Sequence, residues 1–247
     1  MLVQFFGNSY TKSRTDASAY MADTLQTESG PFTAAAMAAA QGPYGLASAA
    51  VNTIIQGICD ILEDSAVLSN QTDAWKARIS QLIRSVHTSS RAAASSLSVQ
   101  LTVSVCVMLI LPDATLSILS CGNVPCLIRQ GDRILYGNSI EQNPQSVLTK
   151  AIGVNQSGQI KATKTTLTED TAILFLSPGF VKFLQPVAEK IRTSTDIKLQ
   201  PMELISYIKQ QRGLACADAV LAVSWKGGDD AEKRNGTGSE AGVSAET

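Results

Sequence analysis

The sequence is poor in charge. Only 17% of its 247 residues are Asp, Glu, Lys or Arg, below the quarter usual for soluble domains, and 20 basic residues stand against 21 acidic ones. No basic run or basic segment is present, which argues against a nucleic-acid-binding protein. There is one histidine, His87, and none of the five cysteines forms a Cys-x-x-Cys pair. A zinc site is therefore not expected. Cys59, Cys106, Cys121, Cys126 and Cys216 mostly sit in apolar runs and read as buried free thiols of a reducing compartment, although Cys121 and Cys126 flank a turn and could meet. Long hydrophobic runs are also missing. "VCVMLIL" from Val105 is far too short to cross a bilayer, and "MLVQFFGNS" has no basic residue ahead of its apolar stretch, unlike a signal peptide. The expectation is a soluble, cytoplasmic protein with no membrane or nucleic-acid partner. Its sparsely charged surface is consistent with coverage by a protein partner.

What is present is a 45% apolar composition, enough for a substantial core, arranged in two alternating patterns. Leu2 to Phe6 reads as a short strand, followed by a polar stretch from Gly7 to Thr15. A helical period begins at Gly45 with Leu46, Ala49, Ala50, Ile54, Ile58, Ile61 and Leu62. A second helix starts near Thr72 or Asp73 and lines up Trp75, Ile79, Leu82, Ile83 and Val86, with His87 beside that face as an ordinary helix residue. Strand patterns follow at Val99–Ile110 and Thr115–Ser120. A hairpin joins Cys126–Gln130 to Arg133–Gly137 with Gly131 and Asp132 at its tip, and another strand spans Thr171–Ser177. Helices are expected at Pro186–Thr193 and Pro201–Gln211, then a last strand at Ala219–Trp225. Segregated strand and helix runs point to one α+β domain with antiparallel sheets covered by helices. Residues 227–247 contain one large aliphatic side chain and no aromatic one, so a disordered polar tail is expected.

The segment from Leu116 to Val154 carries a family resemblance. Gly122-Asn123-Val124-Pro125 closes a strand, "CLIRQGDRI" forms the next hairpin, and Leu148-Thr149-Lys150-Ala151-Ile152-Gly153 follows. This order resembles the centre of the metal-dependent protein phosphatases, the type 2C Ser/Thr phosphatases. There a strand ends in Gly-Asp-Ser-Arg and a Leu-Thr-x-x-Leu-Gly segment comes later. "AILFLSPGFVKFL" resembles the family's strand ending in Ser-Asp-Gly-Leu, "ACADAVLAVSW" its closing Asp-Asn strand, and "SRTDASAY" its opening Arg-x-x-Asn-x-Asp-Ala. The resemblance covers residues 1–226 and implies a two-layer antiparallel β-sandwich flanked by helices.

It also implies a chemistry. The family hydrolyses phosphoesters with two manganese or magnesium ions that activate a bridging water and are held by aspartates. Those aspartates are largely missing here. The opening Asp is kept as Asp16. The Asp-Gly-x-Gly-Gly loop, which gives the metals a carboxylate and a backbone carbonyl, falls on Ala35-Ala36-Met37-Ala38-Ala39, and alanine's helix propensity suggests that this stretch has joined the following helix. The Ser-Asp-Gly ligand falls on Pro178 and the closing ligand on Ala217, with Asp218 one residue away; the Gly-Asp-Ser position is Asn123. Arg14 is the sole nearby counterpart of the phosphate-binding arginine. At most Asp16 and Asp218 survive as ligands, too few to hold the cations. The resemblance therefore implies a degenerate member: a pseudophosphatase with no cofactor and no catalytic residues, binding a protein partner such as a kinase or phosphatase complex. The alternative is a divergent active phosphatase using manganese or magnesium on a rearranged set of Asp16, Asp218, Glu169 and Asp170.

Overall fold

The computed structural model describes residues 2–11, 15–27, 30–64, 74–138, 160–167, 170–194, 196–213 and 217–226. Ten strands lie in two five-stranded sheets. The first sheet has the order β1 (Leu2–Thr11), β10 (Ala217–Lys226), β9 (Thr171–Leu176), β6 (Cys126–Gln130), β7 (Arg133–Tyr136). The second runs β2 (Asp16–Thr27), β3 (Gly30–Gln41), β4 (Thr102–Ile110), β5 (Thr115–Cys121), β8 (Lys161–Thr166). Every pairing is antiparallel. The long helices α1 (Tyr44–Glu63) and α2 (Ala74–Ser96) cover the second sheet. A 3₁₀ segment (Pro178–Phe183), α3 (Leu184–Thr193) and α4 (Gln200–Arg212) cover the first.

Period-two alternation along each strand creates three separate apolar layers. Met37, Met108, Ile118, Phe175, Leu221 and Val223 meet between the sheets. Ala36, Val105 and Val107 face Ile54, Ile58, Ile79 and Ile83 of α1 and α2. Leu174, Leu176, Val220 and Ala222 face Val187, Ile191, Leu204 and Ile208 of α3 and α4. The expected helix-flanked sandwich is the observed one. Helix α1 is long and apolar enough to cross a bilayer by composition, but its Val51, Ile54, Ile58 and Leu62 are spent on the sheet beneath it.

Three expectations need correction. The polar stretch after Phe6 is strand: Gly7 to Thr11 continue β1, because β10 supplies ladder partners from Leu221 to Ala217. The run Ala34–Ala40 is neither loop nor helix. It is the middle of β3, paired on one side with β2 and on the other with β4, and buried on both faces. Alanine's helix preference is overridden by two ladders and by the small volume that lets α1 lie close. Finally, Cys121 and Cys126 do not meet. Cys121 belongs to the layer under α1 and α2, whereas Cys126 lies between the sheets with Cys106. Burial, with Cys126 beside it, pushes the Cys106 thiol well above its ordinary value. The caps expected at Thr72 and Asp73 and the tail 227–247 lie outside the described residues.

Candidate functional site at the strand ends

Among the described residues, the strand-end positions singled out by the resemblance cluster at three turns. The clearest is where β9 ends. Ser177, fully buried, donates its hydroxyl proton to Asp218 Oδ1 at 2.7 Å. Arg212, the last residue of α4, reaches in with its side chain 31% exposed and sets Nη1 2.9 Å from both Asp218 oxygens. Asp218 itself is 0% exposed. A buried carboxylate is tolerable only when its charge is matched and its lone pairs are filled, and both conditions are met here. Gly179 makes the space: a Cβ there would collide with Arg212 Nη1 and Asp218 Oδ1. Pro178 stands between Ser177 and Gly179, at the first position of the 3₁₀ segment, where a missing N–H costs nothing.

Alternation settles which way Asp218 points. Ala219, Leu221 and Val223 face the other sheet; Val220 and Ala222 face α3 and α4. Asp218 shares the parity of Val220 and Ala222, and its partner Arg212 comes from α4. The carboxylate therefore belongs to the helix layer, not to the mouth between the sheets. Asp218, which a one-residue slip would make the closing ligand, is thus held on the helix face by Arg212 and Ser177. Ala217 pairs with Thr11 at the start of β10.

The second turn joins β5 to β6. Asn123 is 5% exposed and tied to β4: Ser104 Oγ donates to Asn123 Oδ1 at 3.0 Å and accepts from the Asn123 backbone N–H at 3.2 Å. Gly122 has φ of 91° and its missing Cβ leaves room for Ser104 Oγ, so glycine is required on both counts. Nearby, Asn138 Oδ1 accepts from the Cys126 N–H at 2.9 Å and Nδ2 donates to Val124 O at 2.8 Å, a buried polar clamp that motif reading did not find.

The third turn is the exit of β3. The strand ends at Gln41, followed by Gly42 and Pro43 before α1 begins at Tyr44. Gly42 donates its N–H to Thr15 O at 2.7 Å. A metal loop must sit at a strand end, and the strand end here is Gln41-Gly42, not Ala35-Ala36, which are mid-strand and 0% exposed. Asp16 stands directly opposite Gln41 in the β2–β3 register and is half-buried, with Thr15 Oγ1 3.5 Å from its Oδ1. Ala35 and Ala36, where the resemblance puts the metal loop, are therefore mid-strand, and Gln41 stands at the strand end.

Arg14, Glu169 and the Leu148–Gly153 segment lie outside the described residues. Asp170 is exposed at the far end of β9 from Ser177, so the length of that strand, about 20 Å, separates it from Asp218. The rearranged set of Asp16, Asp218, Glu169 and Asp170 is therefore not assembled around Asp218. His87 is half-buried on α2, where burial and then Arg91 hold it below the usual imidazole value.

Two divalent cations demand several converging oxygen ligands. The residues present do not fit that demand. The strand ends offer one carboxylate, Asp16, beside the uncharged Gln41, Asn123 and Pro178, and the buried carboxylate is already held by Arg212 and Ser177. Among the described residues no three His, Cys, Asp or Glu side chains come together in a metal-binding group.

The architecture, two antiparallel five-stranded sheets between paired helical layers, is that of the type 2C Ser/Thr phosphatases. No family model matches the chain, and no curated protein matches it in sequence. Solved structures match over nearly its whole length. The serine/threonine phosphatase of S. agalactiae superposes with a TM-score of 0.70 at 12% identity, covering 92% of this chain and 100% of that one. The Mycobacterium tuberculosis serine/threonine phosphatase PstP/Ppp gives 0.70 at 11% identity, with 92% and 100% covered. PppA, a key regulatory component of T6SS in Pseudomonas aeruginosa, gives 0.65 at 14% identity, with 88% and 100% covered. At such identities the likeness is one of fold, and the resemblance drawn from the sequence holds at that level.

Proposed function

We propose that this chain is a catalytically inactive protein of the type 2C phosphatase fold, acting as a protein-binding adaptor or regulator in phosphorylation-linked signalling. One observation carries the reading. Asp218, the carboxylate nearest the closing strand end, is bonded through both oxygens to Arg212 and through one to Ser177, and faces the helix layer. Freeing it for a cation would strand a guanidinium and a buried hydroxyl. Gln41, Asn123 and Pro178 at the other strand ends carry no charge to take its place. Electrostatic stabilisation of a transferring phosphoryl group needs that charge.

The fold's regulatory use in PppA supports a signalling role by analogy only. A kinase or phosphatase complex is the partner class this reading favours. Buried Cys106 and Cys121, present as thiols and not as a disulfide, fit a reducing compartment, and the reading extends to a cytoplasmic location. The test is hydrolysis of p-nitrophenyl phosphate and of phosphopeptides with manganese or magnesium, alongside metal content. The expected result is no turnover above buffer and no bound metal. Manganese-dependent turnover that disappears in Asp16→Ala would overturn it in favour of a divergent enzyme.

A further inference from the structure

We infer that β1 is a self-pairing edge through which two copies of this chain associate. The sandwich has four sheet edges. The short edge strands β7 and β8 carry Arg133 and Lys161 with Lys164, the charges that discourage strand addition. The edge strands β1 and β2 are longer, and among the described residues no strand pairs with their outer sides. Of these two, β2 bears Asp16 and Asp23, whereas all ten residues of β1 are uncharged. Both faces of β1 are covered, by α4 and by Tyr20 of β2, so its outer hydrogen-bonding edge is what it presents; none of its residues is fully buried, unlike most of those of β10 beside it.

Self-complementarity names the occupant. Val3 and Phe5 face the space between the sheets; Phe6 and Tyr10 face the helix layer, where Lys209 Nζ sits 4.1 Å from the Tyr10 ring centroid. A second copy added antiparallel about a two-fold axis normal to the sheet keeps both faces in register only if residues of like parity meet. Centring that axis on Phe6 pairs Phe6 with Phe6, Gln4 with Asn8 and Leu2 with Tyr10 on the helix side. It pairs Phe5 with Gly7 and Val3 with Ser9 on the other. Aromatic meets aromatic, amide meets amide, and no like charges oppose; Gly7 itself is already covered by Tyr20 of the same chain. Leu2, 53% exposed in the single chain, gains an aromatic neighbour.

The experiment is sedimentation velocity of the full chain over a micromolar concentration series. A concentration-dependent dimer is expected. Gln4→Lys with Asn8→Lys places lysine opposite lysine twice and should weaken dimerisation about tenfold or more. Gln4→Glu with Asn8→Lys places glutamate opposite lysine in this register alone and should restore the dimer, with circular dichroism unchanged throughout. Gln4 is exposed and Asn8 half-buried, so neither pair of substitutions disturbs the core. A monomeric wild-type chain, or a dimer indifferent to the double-lysine variant, would overturn the inference. Failure of the charge-swapped variant to recover would overturn the register.

Discussion

Asp218 and Asp16, each near the start of its strand, are in opposite physical situations. Asp218 is completely buried, faces a helix layer and is held by a guanidinium and a hydroxyl. Asp16 is half-buried at the rim of the second sheet, across the ladder from an exposed glutamine. One carboxylate has become part of the scaffold, joining α4, the end of β9 and the start of β10. The other still sits at a strand end, with no second carboxylate in the opposing position. Carboxylates near strand ends thus differ in kind here: one is built into the packing, the other stands at a rim where charge is dilute.

The contrast is broken most directly by removing each carboxylate. Asp218→Ala leaves Arg212 without its counter-charge and should cost about 3–5 kcal/mol, the usual penalty for breaking a buried ion pair. Asp16→Ala should cost much less, about 1 kcal/mol or under, because a half-buried rim carboxylate keeps much of its hydration. Urea unfolding of both variants decides it, and equal losses would end the distinction. Next in size is Gly179→Ala. Its Cβ intrudes on Arg212 and Asp218, and overpacking of this kind costs about 1–3 kcal/mol. In an Arg212→Ala background the added methyl should cost less, so the double-mutant cycle should be non-additive. Additivity would mean that the glycine is not there to accommodate the ion pair. Ser104→Ala is smaller again, about 1 kcal/mol or somewhat more, because Asn123 then loses the hydroxyl that both donates to its side chain and accepts from its backbone.

How much of this was legible in the residues depends on where each pattern was visible. Helix α1 and strand β3 are both alanine-rich and adjacent in sequence. The helix announces itself through Ile54, Ile58 and Ile61 at helical spacing, since only one of its faces is buried. The strand gives no alternation because both of its faces are buried, so nothing polar marks a side. What makes Ala34–Ala40 a strand is pairing with β2 and β4, information carried by other segments. Strand β8 escaped for the same reason: "KATKTT" is exposed and polar, and its conformation comes from β5. The ends of β5 and β9 were readable because apolar runs stop at Asn123 and Ser177. The end of β3, Gln41, lies six residues beyond Ala35, because alanine continues to the edge without a break. Arg212 was missed outright. The available signal was a lone arginine just before a glycine that ends α4, followed by a carboxylate opening a buried strand.

A further small effect sharpens the comparison at its weak end. Gln41→Asp would place a carboxylate directly opposite Asp16, with Cβ atoms about 5 Å apart on the same face of the ladder. Like charges so placed should lower stability by about 0.2–1 kcal/mol at low salt, an effect that fades as salt screens it. A divalent cation is the natural counter-charge for two adjacent carboxylates. Manganese should therefore raise the midpoint of thermal unfolding of Gln41→Asp and leave the wild-type chain unmoved. The same addition should leave Asp218→Ala unmoved as well, because the deficit there is an unpaired cation. Catalysis is not expected to return with the metal, since Asn123 and Pro178 still supply no ligand charge. A wild-type response to manganese equal to that of Gln41→Asp would show that the rim already holds a cation, and that Asp16 is less diluted than its neighbours imply.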